Sequence, residues 1–161
     1  MRSLFRRAQD AVAQPTGPDP DSPEGLAATL DQIVDRINRS SGRLPVAAVV
    51  AALDVTDIVD QLLDSTLDDL VPDVQLILTV RGIVRDYLPT TLDRFLALDP
   101  AAADRPLTSG QTPREQLTEQ LAQLAGAAAD VLDATRSRDA DALVSQGNFL
   151  RTKFSRSDLD L

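Results

Sequence analysis

Cysteine, histidine and tryptophan are absent from this chain, and each absence removes chemistry. Without cysteine there is no disulfide and no thiol nucleophile. Without histidine there is no imidazole base near neutral pH, no ordinary Ser-His-Asp triad and no zinc site of the usual ligand types. Aromatic residues make up 3% of the 161 residues, with a single tyrosine, so the core must be built from Leu, Val, Ile and Ala. Phosphate-binding and dinucleotide-binding glycine fingerprints are missing, as is a G-x-S-x-G elbow. No apolar run reaches the roughly 20 residues that span a bilayer. The opening "MRSLFRRAQDAVAQP" lacks the uninterrupted apolar core of a signal peptide. A cytoplasmic location is expected, or one peripheral to the inner face of the membrane.

What is present argues for one helical domain. Hydrophobic residues are 43% of the chain, enough for a real core at this length. The net charge is −9 and the pI about 4.4. A surface of that sign repels phosphate backbones, so no nucleic acid is expected as partner. Lys153 is the sole lysine; every other basic residue is arginine. No cofactor and no metal are expected.

Residues 2–13 place Leu4, Phe5, Ala8 and Val12 on one side with Arg2, Arg6 and Arg7 beside them. Such a segment is either a docked or frayed terminus or a membrane-surface helix. "QPTGPDPDSPEG" is a linker, rich in proline and without periodicity. Residues 1–21 are thus read as a flexible arm and Pro-rich linker, 22–156 as a helical bundle, and 157–161 as a frayed tail whose two leucines are able to dock.

Within the bundle, Ser22, Pro23 and Glu24 read as a helix start. Leu26, Leu30, Ile33 and Ile37 follow at helical spacing, and Gly42 is expected to end the helix in the left-handed conformation. In the next segment Val46, Val49, Val50 and Leu53 form one apolar stripe, and Ile58, Val59, Leu62 and Leu63 another. The change of phase around residues 54–57 leaves two readings: one long bent helix, or two helices with Thr56 capping the second. From Pro72-Asp73 a strong amphipathic pattern runs through Leu76, Val80, Ile83, Val84, Tyr87 and Leu88, and resumes after Pro89 with Leu92, Phe95 and Leu96. Thr112, Pro113 and Glu115 form a capping box. It opens a heptad-like seam of Leu117, Leu121, Leu124, Ala128 and Val131, with Gly126 leaving room for close approach. Ser137 is the candidate cap of a last helix whose inner face is Leu143, Gly147, Leu150 and Phe154.

Candidate chemistry is sparse. Asp64, Asp68, Asp69 and Asp73, then Asp139 and Asp141, are acidic groups that either bind a hard cation or serve as helix-start charges and a solvated face. Arg81 and Arg85, one turn apart, either grip a phosphate or pair with Asp57 and Asp60 on a neighbouring helix; ion pairing is the expectation. Tyr87 is expected to bury its ring and hydrogen-bond through its hydroxyl.

The run "DYLPTTLDRFLAL", Asp86 to Leu98, resembles a signature of the bacterial 5-bromo-4-chloroindolyl phosphate hydrolysis (XpaC-like) family. The residues that carry the resemblance are Tyr87, Leu88, Pro89, Thr90, Thr91, Leu92, Phe95 and Leu98. The chain departs from the family pattern in having no N-terminal membrane segment, and in Phe95 where a tyrosine is common. The resemblance implies an accessory role beside toxic-anion (tellurite) resistance proteins or in envelope stress, and its family name implies phosphate hydrolysis.

The expected fold is an all-α, single-domain bundle of four to six helices with a Pro-kinked helix and a mobile N-terminal arm. The expected function is that of a non-enzymatic helical interaction or adaptor protein. Its expected partner is a protein, either a toxic-anion resistance protein or a second copy of itself. The alternatives are a metal-dependent phosphate-processing enzyme and a peripheral membrane-associated protein touching the membrane through residues 2–13. Tyr87, Leu88, Pro89, Thr90, Thr91, Leu92 and Phe95 are the candidate structural motif and interaction residues.

Overall fold

A computed structural model describes residues 17–69 and 73–154. The amphipathic segment 2–13 and the tail 157–161 lie outside them. Among the described residues there are no strands and six α-helices: α1 (Pro23–Ser40), α2 (Val46–Asp68), α3 (Val74–Gly82), α4 (Leu88–Leu96), α5 (Pro113–Ser137) and α6 (Ala140–Phe154). A π-helical turn, Ile83–Tyr87, joins α3 to α4, so these two form one rod. The fold is therefore an all-α bundle of five rods around one hydrophobic core. No helix among the described residues is long and apolar enough to cross a membrane.

Helix ends follow local chemistry. Ser22 Oγ accepts from the Gly25 amide at 3.1 Å, and Pro23 fills the first turn of α1. Thr112 and Glu115 close the capping box in both directions: the Thr112 amide donates to Glu115 at 2.8 Å and the Glu115 amide donates to Thr112 Oγ1 at 3.3 Å. Two expected ends differ. Gly42 is not left-handed; α1 ends at Ser40 with Ser41 still in the helical region. Ser137 is the last residue of α5 and bonds back to the Ala134 carbonyl. The cap of α6 is Asp139, whose side chain accepts from the Ala142 amide at 3.0 Å. The sharp turn between them is made by Arg138 at φ 54°, a left-handed position filled without glycine.

Helix α2 is unbroken through residues 54–57. Its apolar phase differs from the stripe of valines: Val46 is 81% and Val50 54% exposed, while Ala48, Ala51, Ala52, Val55 and Val59 are buried. That buried set is continuous at steps of three and four, so no phase change exists to break the helix. Alanines bring the α2 backbone close to α5, its most extensive neighbour, which contributes Ala127 and Ala128 to the same core. Thr56 does not cap; its hydroxyl bonds back to the Leu53 carbonyl at 2.7 Å. Gly126 lies on the outside of α5 with nothing near its missing Cβ, so close approach runs through the alanines instead.

Polar ties show the direction of the rods. Arg36 pairs with Asp93, and Arg43 donates to the Leu96 carbonyl at 2.6 Å, joining the ends of α1 and α4. The Arg114 amide donates to the Ala103 carbonyl at 3.4 Å, setting the start of α5 at that same end. At the opposite end Arg136 donates to Gln61 at 2.8 Å. Helices α2 and α5 thus run parallel, while α5 runs against α4 and α6.

The π turn explains how one rod faces the core along its whole length. At about 100° per residue, an unbroken α-helix would carry Leu92 about 160° and Phe95 about 100° away from Leu76. A π turn accommodates one extra residue and takes about 100° back. Leu76, Val80, Ile83, Leu88, Leu92 and Phe95 are accordingly all buried. Pro89 sits in the first turn of α4, just past the π turn. It does not end the helix, because the Leu88 amide bonds back to the Ile83 carbonyl across the wider turn.

Two substitutions test this packing. Leu62→Ala, in the fully buried stripe of α2, is expected to lower unfolding free energy by about 2–5 kcal/mol. Gly126→Ala, whose new methyl meets nothing, is expected to raise it by up to about 1 kcal/mol. Urea titration of both variants checks the pair; a stabilised Leu62→Ala or a destabilised Gly126→Ala contradicts the assigned faces.

Candidate functional site

The π turn places Tyr87 over Gly82. A residue five positions on is turned well away in an α-helix but lies nearly above in a π turn. The missing Cβ of Gly82 would sit 2.9 Å from both Cζ and Oη of Tyr87, so only glycine leaves room for the ring. On its other side the ring meets Phe154, at a centroid distance of 5.9 Å and a tilt of 34°. The glycine Gly147 lets α6 approach closely enough for that contact: its Cβ would lie 2.7 Å from Gln75 Nε2 and 2.9 Å from Thr79 Oγ1. Since Gly147 faces Gln75 and Thr79, and Phe154 faces Tyr87, α6 runs parallel to the rod of α3 and α4.

Between these parallel elements lies a cleft of about 680 Å³. Its apolar part is Leu78, Tyr87 and Phe154. Around it stand Arg81, Arg94 and Arg151, with Asp86 and Thr90. Three guanidinium groups and the Asp86 carboxylate thus line one cleft on a protein of net charge −9. Arg81 reaches Asp21, Nε to Oδ1, at 3.2 Å, and Arg85 reaches the same oxygen at 3.2 Å. Arg85 also donates to the Pro20 carbonyl at 2.7 Å. The expected pairing of Arg81 and Arg85 with Asp57 and Asp60 is therefore replaced by one with Asp21. The end of the linker folds back through Ser22 and Asp19 and seats against Gly25, whose missing Cβ would fall 2.3 Å from the Asp19 carbonyl oxygen. Arg151 additionally donates to Asn148 at 2.8 Å.

Burial pushes the Tyr87 phenol above its ordinary value; neighbouring Asp86 adds to this and Arg151 works against it. At neutral pH the hydroxyl is a hydrogen-bond donor and acceptor, not a base.

The candidate motif divides at this point. Tyr87 and Thr90 open on the cleft. Leu88, Thr91, Leu92 and Phe95 are buried in the core, and Pro89 is half-buried. Thr91 Oγ1 donates to the Tyr87 carbonyl at 2.7 Å, a side-chain tie across the turn that contains Pro89. The motif is thus mainly a packing corner with one edge open on the cleft. Arg94, Arg151 and Phe154 complete the site, and sequence reasoning missed them as partners of Tyr87. The inner face of α6 was legible from Leu143, Gly147, Leu150 and Phe154, but only its parallel packing on the rod reveals what Arg151 and Phe154 approach.

The acidic groups gather at the other end of the bundle. Asp68, Asp69, Asp73 and Asp139 line a cleft of about 600 Å³ with Arg136 and Arg138, over Leu76 and Leu143. Asp73 accepts from the amides of Gln75 and Leu76 at 2.8 and 3.3 Å, and Asp139 caps α6. Two of the four carboxylates therefore serve as helix caps. Among the described residues no three acidic side chains converge as a metal ligand set.

The raised Tyr87 value carries a signed consequence. The unfolded chain releases the phenolic proton first, so this group leaves stability unchanged below about pH 10 and lowers it as pH rises further. Tyr87→Phe is expected to remove that part of the decline in urea titrations between pH 8 and 11; equal slopes for both chains contradict it. Gly82→Ala, by displacing the ring, is expected to bring tyrosinate absorbance, which reads this one tyrosine alone, back toward the ordinary phenol midpoint. No family model, curated protein or solved structure matches the chain.

Proposed function

We propose that the protein is a non-enzymatic helical interaction protein, an adaptor that holds an acidic, leucine-bearing segment of a protein partner in the arginine cleft beside Tyr87. The observation that carries this reading is the grouping of Arg81, Arg94 and Arg151 around an apolar floor of Leu78, Tyr87 and Phe154. Guanidinium groups bind carboxylates in a planar, directed way, and an aromatic floor supplies contact area at low entropic cost. An exposed ion pair contributes at most about 1 kcal/mol. A micromolar complex needs about 8 kcal/mol. The larger share must therefore come from apolar groups of the partner, which is why the segment carries leucines as well as acids.

The resemblance of Asp86–Leu98 to XpaC-like proteins supports a partner among toxic-anion resistance proteins and a role in envelope stress. A second copy of the chain is the other partner of this class. The competing reading, a metal-dependent phosphate-processing enzyme, draws on the same arginines and on the aspartates at the far end of the bundle. Those two groups line different clefts, which separates the metal ligands that such an enzyme needs from the arginines that would hold its phosphate.

Affinity capture from the native cell, with the full chain and with an Arg94→Gln/Arg151→Gln variant, tests the proposal. A stoichiometric protein retained by the wild type and reduced at least tenfold with the variant is expected. Equal recovery by both chains, or a Mg²⁺-dependent phosphate monoester hydrolysis lost on Asp69→Asn, would overturn it.

A further inference from the structure

Helices α3 and α6 lie side by side and parallel, and each carries an outward row with the same order of chemistry. On α6 the row is Asp141, Val144, Asn148 and Arg151, all exposed and spaced by three, four and three residues. Arg151 lines the cleft between the two helices, so Val144, about two turns earlier on the same row, stands along that junction. On α3 the capping Asp73 is followed by Val74, Leu78 and Arg81, and the last two of these line the cleft. Both rows therefore run from carboxylate through apolar side chains to guanidinium, in the same direction. Acids at helix starts and arginines at helix ends complement the backbone dipole. That preference does not account for the middle of the face, where Val74 is 68%, Leu78 51% and Val144 47% exposed.

We infer that this α3–α6 face pairs with the same face of a second copy of the chain, antiparallel about a two-fold axis that crosses both helices. Two symmetric arrangements lay the face on itself. With the axis along the helices, carboxylates meet carboxylates and guanidinium groups meet guanidinium groups. With the axis across them, each helix lies against its own counterpart in reverse. Asp141 then faces Arg151 of the partner subunit, the Asp73 end of α3 faces Arg81 of the partner subunit, and the apolar middles of the two faces meet. Charge selects this second arrangement, which also sets the helix dipoles against each other. Arg81 keeps its contact with Asp21, and Arg151 its bond to Asn148; a guanidinium has enough N–H donors to take a further carboxylate beside these. Helix α2 offers no such match. It exposes Val46 and Val50 but contains no cation, so its face does not complement itself. The α6 row is about 15 Å long, so the paired face is small and belongs to the weak, salt-dependent class of contacts. The inference stands apart from the adaptor reading, because it needs only the self-complementary face.

Sedimentation velocity of the full chain over a range of concentrations tests this. A monomer–dimer equilibrium that weakens as salt rises is expected. Val144→Glu, at an exposed position, is expected to weaken dimerisation at least tenfold while the urea transition of the chain persists. Asp141→Arg and Arg151→Asp are each expected to weaken it at least tenfold alone. An equimolar mixture of these two chains is expected to restore a dimer of unlike copies, since both contacts across the axis again join opposite charges. A wild-type chain that stays monomeric at every concentration would overturn the inference. So would a dimer that Val144→Glu leaves intact, or a mixture of the charge variants no more associated than either chain alone. Partner capture addresses the adaptor reading separately. Self-association with no captured protein leaves the dimer standing and the adaptor reading fallen; a captured protein with a monomeric chain does the reverse.

Discussion

Pro89 has no amide hydrogen to give to the turn before it, and its ring crowds the carbonyl four residues back. The rod that contains it stays helical by widening into the π turn Ile83–Tyr87. One extra residue in that turn rotates everything after it, so that Leu88, Leu92 and Phe95 enter the same core as Leu76 and Val80. The same widening lays Tyr87 over Gly82 and sets its ring against Phe154 of α6. The cleft with its three arginines exists because of that arrangement. A single register adjustment therefore links the core, the aromatic contact and the site.

Electrostatics divide the molecule into two ends of different character. The end where α2, α3, α5 and α6 meet collects aspartates, two of which cap helices. The arginine cleft lies further along, beside Tyr87 and Phe154. Asp21 neutralises part of the arginine row on its linker side by pairing with both Arg81 and Arg85. Each of these side chains is partly exposed, so each pair contributes little to stability. Their effect is positional: with the Arg85–Pro20 bond, they hold the end of the linker beside the start of α1.

Much of the bundle was legible in the residues because its signals are local. Ser22 and the Thr112–Glu115 box announce their helices, and the seam from Leu117 to Val131 is buried as its spacing implies. The face of α2 was misjudged because valines are more hydrophobic than alanines, while tight packing on α5 selects small side chains over apolar ones. The ends at Gly42 and Ser137 were misjudged for a related reason: Ser41 and Arg138 meet the backbone requirement with residues that carry no strong signal. Pro89 marked an irregularity, but a proline alone does not distinguish a kink from a π turn. The site was the least legible part. Tyr87 stood out by its rarity, whereas Arg151 and Phe154 join it only through the parallel packing of α6, and Asp21 took the place of Asp57 and Asp60 through the fold-back of the linker.

The central claim is that residues 83–87 contain one residue more than an α-helix needs, and that the core depends on this register. Deleting exposed Asp86 from the π turn measures it most directly, compared with deleting exposed Asp60 from the regular helix α2. Loss of Asp86 closes the turn to α-helical width while leaving α3 and α4 facing the core, so the chain is expected to keep a cooperative urea transition at a stability lowered by the proline crowding that the wider turn relieves. Loss of Asp60 rotates the last third of α2, residues 61–68, by about 100° and is expected to abolish that transition. Unfolding on loss of Asp86, or equal tolerance of both deletions, would contradict the account.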